Sequence, residues 1–477
     1  MKFLNFLFSK ITFFIILLLI YIFGIYLFWK LVERRFVLAN IVLLTGEIVL
    51  LITLLNRDTP TSFKLPWMII VLISPFLGMI LYFFFGDLKI RRNQSVKIMK
   101  TFDESRLSLE ESKIDLIDND VCKAQARYIQ NNTKMPVCNN TEITYFNCGE
   151  NFFTQYLSDL EKAKKYIFLE YFIYDDFGSY LKIKKEIMSL KEIGIKIVSF
   201  SKISLFKSWF QNNRDHRKIT VIDGVVAYTG GINIADEYIN KKKRFGYWKD
   251  SVIRLKGEGV KNYVCLFIQM YNTIDKDKID YKYYINRNDN KVIDEGLSLS
   301  FGTGPKSIYK NYIAFSLYMN IIETSTKYLY ITTPYLIVDY FFIEALCNAA
   351  KRGVDVRIIT PHIPDKKIIF MMTQSNYEKL IKNGVKVYEY SPGFMHAKIF
   401  LCDDIVGVMG TINLDYRSLY LHFENAVYFA GCPAVEALVQ DCMDTCAISK
   451  FCTKENTRRG LLGRLFDAVL RVFETLL

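Results

Sequence analysis

Histidine is the scarcest reactive group in this chain, with four in 477 residues. Cysteine is absent before Cys122, and the ten cysteines show no regular framework spacing. Cys442, Cys446 and Cys452 cluster, but no histidine lies near them at zinc-finger spacing. That pattern argues against a disulfide scaffold and against a cysteine-rich metal finger. It suits reduced thiols in a cytosolic compartment. Acidic residues run short as well: 49 Asp and Glu stand against 62 Lys and Arg, a formal charge of +13. A basic balance fits nucleic acid or an anionic membrane surface, and does not choose between them.

Charge is missing altogether from residues 11–29, ITFFIILLLIYIFGIYLFW, a run about long enough to cross the ~30 Å hydrocarbon core. Residues 67–86, WMIIVLISPFLGMILYFFFG, form a second such run. Residues 36–55 between them are apolar but carry Asn40 and Glu47, which a spanning helix would turn toward a neighbour. No A-x-A site follows the first run, and Lys30, Arg34 and Arg35 resemble a stop signal, so it reads as an anchor rather than a cleaved leader. With three spans, those three basic residues share a side with Lys89, Arg91, Arg92, Lys97 and Lys100, against Lys2, Lys10, Arg57 and Lys64 on the other. The basic excess places the rest of the chain in the cytoplasm and the N-terminus outside.

What the chain does have is a repeat. DHRKITVIDGVVAYTGGINIADEY runs from Asp215 to Tyr238, and HAKIFLCDDIVGVMGTINLDYRS starts at His396. Counted from His216 and His396, Lys, Asp, Gly and Asn fall at the same offsets: Lys218 and Lys398, Asp223 and Asp403, Gly230 and Gly410, Asn233 and Asn413. At average residue frequencies, one histidine meets all four conditions about once in 10⁵ trials, so two of four histidines doing so is no accident. Each histidine reads as the start of an alternating strand, with His and Lys on one face. A turn at the aspartate follows, then a second apolar strand, then a Gly-x-x-Asn turn.

Two imidazoles allow one to act as nucleophile and the other as general acid-base. Two lysines supply fixed charge for the non-bridging oxygens of a phosphate, and the asparagines add neutral donors. The aspartates would hold each histidine in its working tautomer. Metal ligation by the histidines is disfavoured, because each has a lysine as its strand neighbour. Covalent, metal-free phosphoryl transfer is therefore the expectation, with no cofactor.

The doubled H-x-K-x4-D pattern with its G-[GST]-x-N tail resembles the bacterial cardiolipin synthases of the phospholipase D superfamily. NNRDHRKITVIDG, TGGINIADEY, RGVDVRIITPHIPDK and GTINLDYRS resemble the synthase branch. The likeness runs from the apolar segments to about residue 430. It implies that His216 attacks a phosphatidyl phosphorus and that His396 protonates the departing glycerol, then activates the incoming alcohol. Lys218, Lys398, Asn233 and Asn413 would hold the phosphate. Gly231, Gly410, Ser418 and Glu424 match supporting positions.

The remaining histidines read as bland: His362 in a surface loop, His422 packing or capping. Trp248, Lys249 and Asp250 could line a lipid entrance. The run Lys241, Lys242, Lys243 and Arg244 is either a solvated face or a membrane-facing patch. Residues 458–477 have the apolar spacing of an amphipathic helix, docked on the protein or lying on a membrane.

The two copies differ in what precedes them. Tyr328 and His396 are 68 positions apart, whereas Tyr166 and His216 are 50 apart. In the second copy the intervening chain reads as helix 341–352, strand VDVRIIT, a helix near 375–383 and strand VKVYEY. In the first, only a helical stretch near 180–193 and the strand IKIVSF precede His216. One helix–strand unit is missing, so the first sheet is expected to be one strand narrower and His216 less well supported.

The expected architecture is α/β: two phospholipase D-like α-β-α lobes in a pseudo-twofold pair after an N-terminal helical membrane anchor. The boundaries are 1–90 for the anchor, 91–135 for a linker, 136–295 and 296–450 for the lobes, and 451–477 for a C-terminal amphipathic helix. The expected activity is transfer of a phosphatidyl group between two phosphatidylglycerol molecules, in a multi-pass cell-membrane protein. The partners are phosphatidylglycerol, anionic lipid and the bilayer, with no nucleic acid. A hydrolytic phospholipase D and a non-catalytic lipid-binding homologue are the alternatives.

Overall fold

The computed structural model describes residues 23–24, 37–86, 90, 92–107, 109, 114, 117–172, 195–200, 212–285, 296–457 and 460–476. The chain divides into two compact units, Met1–Leu88 with Ser204–Gln211 and Ala468–Leu477, and Lys89–Ile203 with Asn212–Asp467.

In the first unit, α1 covers Val37–Asn56, and its stretch Leu38–Asn56 is long and apolar enough to cross a membrane. The expected span 11–29 lies outside the described residues apart from Phe23 and Gly24. The span expected over 67–86 is not one helix. It is two, α2 (Thr61–Ile73) and α3 (Pro75–Phe85), separated at Ser74 with φ −142° and ψ 84°. The cause is Pro75: its ring excludes the residue before it from helical geometry, while Pro75 itself takes the first turn of α3. α3 folds back along α2. A Cβ on Gly78 would stand 2.7 Å from Val71 Cα, and the rings of Trp67 and Tyr82 meet edge to face at 5.4 Å.

The second unit opens with two helices in the segment expected to be a linker: α4 (Arg92–Arg106) and α5 (Asp120–Thr133). Their buried stripes are Ser95, Ile98, Thr101, Phe102 and Ser105, then Cys122, Gln125, Ala126, Ile129 and Thr133. The spacing is helical, but half of these residues are polar, so composition hides it. The polar members are paired inside the protein: Gln269 Nε2 donates to Ser105 Oγ at 2.7 Å, and Tyr428 donates to Gln125 Oε1 at 2.9 Å.

Two sheets follow. The first has β1 (Thr141–Phe146), β2 (Ile167–Glu170), β3 (Ile219–Ile222), β4 (Val226–Gly230) and β5 (Val252–Gly257), in the order β1-β5-β4-β3-β2, all antiparallel. The second has β6 (Leu297–Thr303), β7 (Tyr328–Thr332), β8 (Asp355–Pro361), β9 (Lys386–Tyr390), β10 (Ile399–Cys402), β11 (Val406–Gly410), β12 (Glu424–Ala430) and β13 (Lys450–Phe451). Its order is β13-β9-β8-β7-β10-β11-β12-β6. The run β2-β3-β4-β5-β1 thus has its counterpart in β7-β10-β11-β12-β6. β3, β4, β10 and β11 are buried along their whole length, as strands covered on both faces are.

The sheets part company beyond β2 and β7. β7 continues into parallel β8 and β9, reached through helices Tyr340–Lys351, Lys367–Ser375 and Tyr377–Lys382. The first sheet stops at β2 among the described residues. Among the described residues it has five strands against eight, where one strand fewer was expected. Residues 195–200, IKIVSF, carry no ladder, and the helical stretch expected near 180–193 lies outside the described residues. As an edge strand β2 leaves Ile167 and Leu169 41% and 45% exposed. At the C-terminus, helical structure covers Leu461–Val472.

Candidate active site

His216 and His396 lie just ahead of β3 and β10, not on them. The backbone there is extended, so alternate side chains share a face. Lys218 Nζ donates to the His216 carbonyl at 2.7 Å, and Lys398 Nζ donates to the His396 carbonyl. Arg217 points the other way. It is fully buried, 2.6 Å from Glu170 on β2 and 3.3 Å from Asp215.

The two halves of the repeat complete each other. His216 N–H donates to the Phe423 carbonyl at 2.8 Å, and His396 N–H donates to the Lys249 carbonyl at 2.7 Å. The next residue in each case is the carboxylate for that same imidazole. Glu424 Oε2 is 2.9 Å from His216 Nδ1, and Asp250 Oδ2 is 2.6 Å from His396 Nδ1. A carboxylate on Nδ1 selects the tautomer with its proton there and leaves Nε2 as a free lone pair. Ser418 Oγ donates to Glu424 Oε1 at 2.8 Å, and Thr411 Oγ1 also donates to this carboxylate. In the other half the position of Thr411 is Gly231, where a Cβ would stand 2.1 Å from Asp250 Oδ1. One half thus places a hydroxyl against its carboxylate, and the other makes room for it. Gly410 has an analogous duty, with Asn425 O at 2.2 Å from a would-be Cβ.

Asp223 and Asp403 do not orient the histidines. Asp223 accepts from the backbone N–H groups of Lys164, Lys165 and Tyr166 at 2.7, 2.7 and 2.8 Å. Asp403 accepts from Thr326, Lys327 and Tyr328 N–H at 2.7, 2.8 and 2.8 Å, and from Thr326 Oγ1. The reason is reach: seven residues of extended chain at ~3.3 Å each carry the aspartate to the far end of the strand. There both take positive φ, 52° and 55°, in the tight turn, and clamp the chain entering β2 and β7.

Asn233 Nδ2 donates to Tyr238 OH at 2.6 Å, and that ring lies 5.5 Å from His396. Asn413 is buried, and its Oδ1 has no hydrogen-bond partner among the described residues. Trp248, Lys249 and Asp250 form no open entrance, since all three are buried. Trp248 packs 5.1 Å from His396, and Lys249 is paired with Asp441 at 2.5 Å. Lys241 to Arg244 are exposed. His362 is not drawn into the site: it pairs with the buried Glu389 at 2.8 Å.

Sequence reasoning missed two residues. Asp250 was discoverable by overlaying the copies, because it precedes β5 as Glu424 opens β12. His422, expected to pack or cap, stands beside the site, its ring 5.8 Å from His216 and its Nδ1 3.8 Å from Glu424 Oε1. Its counterpart, two residues before the other carboxylate, is Trp248.

Burial dominates the electrostatics. It holds His216 well below its ordinary pKa, helped by the charges of Lys218 and Lys398. It takes His396 to about 4, with Lys398 adding to the effect against Asp250. Burial also lowers Lys218 to about 8 and Lys398 to about 7. It raises Glu424. Asp250 is equally buried, but His396 and Lys398 outweigh that and hold it below the usual carboxylate value. Burial thus favours the neutral imidazole, which suits His216 for attack, while at His396 the Asp250 carboxylate works against burial and favours the cation. His216, His422 and Glu424 bring donor atoms within 4.8 Å of one another, a set that zinc can use. The neighbouring lysines oppose a divalent ion there and already provide the positive charge that a phosphate requires.

Residues 318–442 match the family model described as cardiolipin synthase, PLD-like domain, and residues 48–86 match phospholipase D-nuclease N-terminal. A cardiolipin synthase from Alkalihalophilus pseudofirmus is 31% identical over 420 residues, 81% of this chain and 82% of that one. Another from Halalkalibacterium halodurans is 31% identical over 472 residues, 90% and 91% of the two chains. An uncharacterized protein from Streptococcus mutans is 36% identical over 463 residues, 89% and 98%. Among solved structures, a phosphatidylserine synthase from Haemophilus influenzae shares the fold, with TM-score 0.52 at 14% identity over 74% of this chain and 99% of that one.

Proposed function

Because this chain belongs to the cardiolipin synthase family, and is thus a membrane-associated phosphatidyltransferase of phospholipid metabolism, we propose that it joins two phosphatidylglycerol molecules into cardiolipin with release of glycerol. In the first step, His216 Nε2 attacks the phosphorus of one phosphatidylglycerol. The bond from phosphorus to the glycerol headgroup oxygen breaks, and that oxygen takes the Nε2 proton of His396, which enters the step as the imidazolium because the bound phosphate anion and Asp250 together offset its burial. In the second, His396 takes the proton from a headgroup hydroxyl of another phosphatidylglycerol. That oxygen attacks phosphorus and the N–P bond breaks, restoring both histidines. Lys218 and Lys398 face the non-bridging oxygens, with Asn233 and Asn413 as neutral donors. Asp250 stabilises the His396 imidazolium, and Glu424 does the same for His216.

One observation carries this reading: each imidazole has its Nδ1 on a buried carboxylate from the other half of the repeat, with a lysine beside it. His216 draws its support from the other half of the repeat, since Phe423 and Glu424 hold it by its backbone and its ring. We take residues 136–295 and 296–450 as two lobes about a pseudo-twofold axis. The chain crosses the cell membrane more than once, and the catalytic body faces the cytoplasm.

The test is to supply membranes containing the protein with headgroup-labelled phosphatidylglycerol. Cardiolipin and free glycerol are expected in equal amounts. Phosphatidic acid as the product would replace transfer by hydrolysis. No turnover by a folded protein would leave a lipid-binding role. Full turnover by His216→Ala would overturn the assignment of the nucleophile.

A further inference from the structure

The turn at Ser74 changes how the apolar N-terminal segment can meet a bilayer. A single helix through residues 67–86 would set Trp67 and Tyr82 ~22 Å apart along its axis, at 1.5 Å per residue. Instead their rings are in contact at 5.4 Å, and Gly78 lies against the backbone of Val71. Both pairs are symmetric about the Ser74–Pro75 junction, which is the register of an antiparallel helical hairpin. Its two ends meet: Arg57 Nη1 donates to the Gly86 carbonyl at 3.4 Å, and the Arg57 guanidinium sits 5.5 Å over the Tyr82 ring. The last turn of the chain lies at the same mouth, where Thr475 Oγ1 donates to the Ser62 carbonyl at 3.1 Å.

The arms have 13 and 11 residues, or ~20 and ~16 Å, against a hydrocarbon core of ~30 Å. Neither arm crosses. Residues 65–86 carry no charge, and the outer faces expose Leu72, Ile73, Phe76 and Phe83 at 57–80%. Arg57 stands at that mouth, and in the sequence the uncharged stretch is flanked by Lys64 before it and by Asp87, Lys89, Arg91 and Arg92 after it.

We propose that residues 57–86 form a re-entrant hairpin that dips into one leaflet, the cytoplasmic one, and leaves by the face it entered. α1 then carries the crossing that delivers the chain to that face. The charge distribution supports this independently. If residues 11–29 also cross, the hairpin puts Lys2, Lys10, Arg57, Lys64, Lys89, Arg91, Arg92, Lys97 and Lys100 on the cytoplasmic side, against Lys30, Arg34 and Arg35 outside. That is nine against three, a sharper basic excess than three full spans give, and it returns the N-terminus to the cytoplasm.

The inference rests on membrane association and not on the reaction, so its test reads labelling, not turnover. Cysteines are introduced singly in the full chain at Asp58→Cys, Ser74→Cys and Asn93→Cys, with the unsubstituted chain as background. Each is treated with a membrane-impermeant maleimide in inverted and in right-side-out vesicles. The expected result is labelling at 58 and 93 in inverted vesicles only, and loss of labelling at 74 in both until detergent is added. Labelling of 58 and 93 from opposite faces would overturn the hairpin. So would labelling of 74 from the face opposite to 58. Labelling of both 58 and 93 only from the outer face would overturn the cytoplasmic assignment.

Discussion

At the scale of the residue, a buried carboxylate on Nδ1 fixes the tautomer of an imidazole and stabilises its cation. Asp250 holds His396 this way at 2.6 Å. Asp250→Asn keeps the shape and removes the charge. We expect kcat to fall about 10²–10⁴-fold with KM and thermal unfolding little changed, and an unaltered kcat would refute the assignment. Asp403 is the contrasting case. Its depressed pKa comes from backbone and Thr326 hydrogen bonds that outweigh burial. Its contribution to stability is thus fully present above the unfolded value of about 3.9 and is lost as pH falls through the lower folded value. Asp403→Ala leaves several amides without an acceptor, so about 2–3 kcal/mol of stability should go. Denaturant titration measures this, and the pH profile of the activity should keep its shape. The lysines give a third expectation. Burial takes Lys398 to about 7 and Lys218 to about 8, while an unfolded lysine titrates near about 10.4. Between those values the unfolded chain binds more protons, so the cost that these buried lysines impose on the fold shrinks as pH rises. An oxyanion in the cleft favours their charged forms. Tungstate binding at pH 8 should therefore take up protons, seen by calorimetry in buffers of different ionisation enthalpy. Binding without proton uptake would remove the lysines from the phosphate site.

At the scale of the element, β2 and β7 occupy equivalent places in the two sheets but have different neighbours. β7 is bonded on one side to β8 and on the other to β10. β2 is bonded to β3, with Ile167 and Leu169 half exposed. Backbone hydrogen bonds at an edge open at lower free energy than those in a sheet interior. Amides of residues 167–170 should exchange with deuterium faster than those of 328–332, and equal protection would mean that something covers the β2 edge. The shorter interval before His216 made the narrower sheet legible. Its full extent was not legible, because Ile195–Phe200 has the composition of a strand, and composition does not supply a partner to pair with. Similarly, α4 and α5 fall in a segment that reads as a linker, because a stripe such as Ile98, Thr101, Phe102 and Ser105 is apolar only in part. The missed signal was its 3.6-residue spacing.

At the scale of the whole molecule, neither half of the repeat is a complete site. Each supplies a histidine and a lysine, and lends its carboxylate to the other. Two such half-sites acting on one phosphorus should behave as a unit, so their losses should not add. Asp250→Asn combined with Glu424→Gln is expected to cost little more in kcat than the worse of the two alone. Full multiplication of the two effects would mean independent sites.

The sequence by itself determined the chemistry. Two H-x-K-x4-D copies at identical offsets single out the histidines and lysines and point to phosphoryl transfer, because side-chain type and spacing are local properties. It also determined that an apolar segment precedes the body. Which carboxylate serves which histidine was decided only by the tertiary structure. Asp223 and Asp403 are near in sequence, but extended chain carries them to the wrong end of the strand. Asp250 and Glu424 are distant in sequence and arrive through the pairing of the halves. The same holds for the hairpin at Ser74. Hydropathy sums residues along the chain and reports a span, whereas one proline at residue 75 sets the direction the chain takes next.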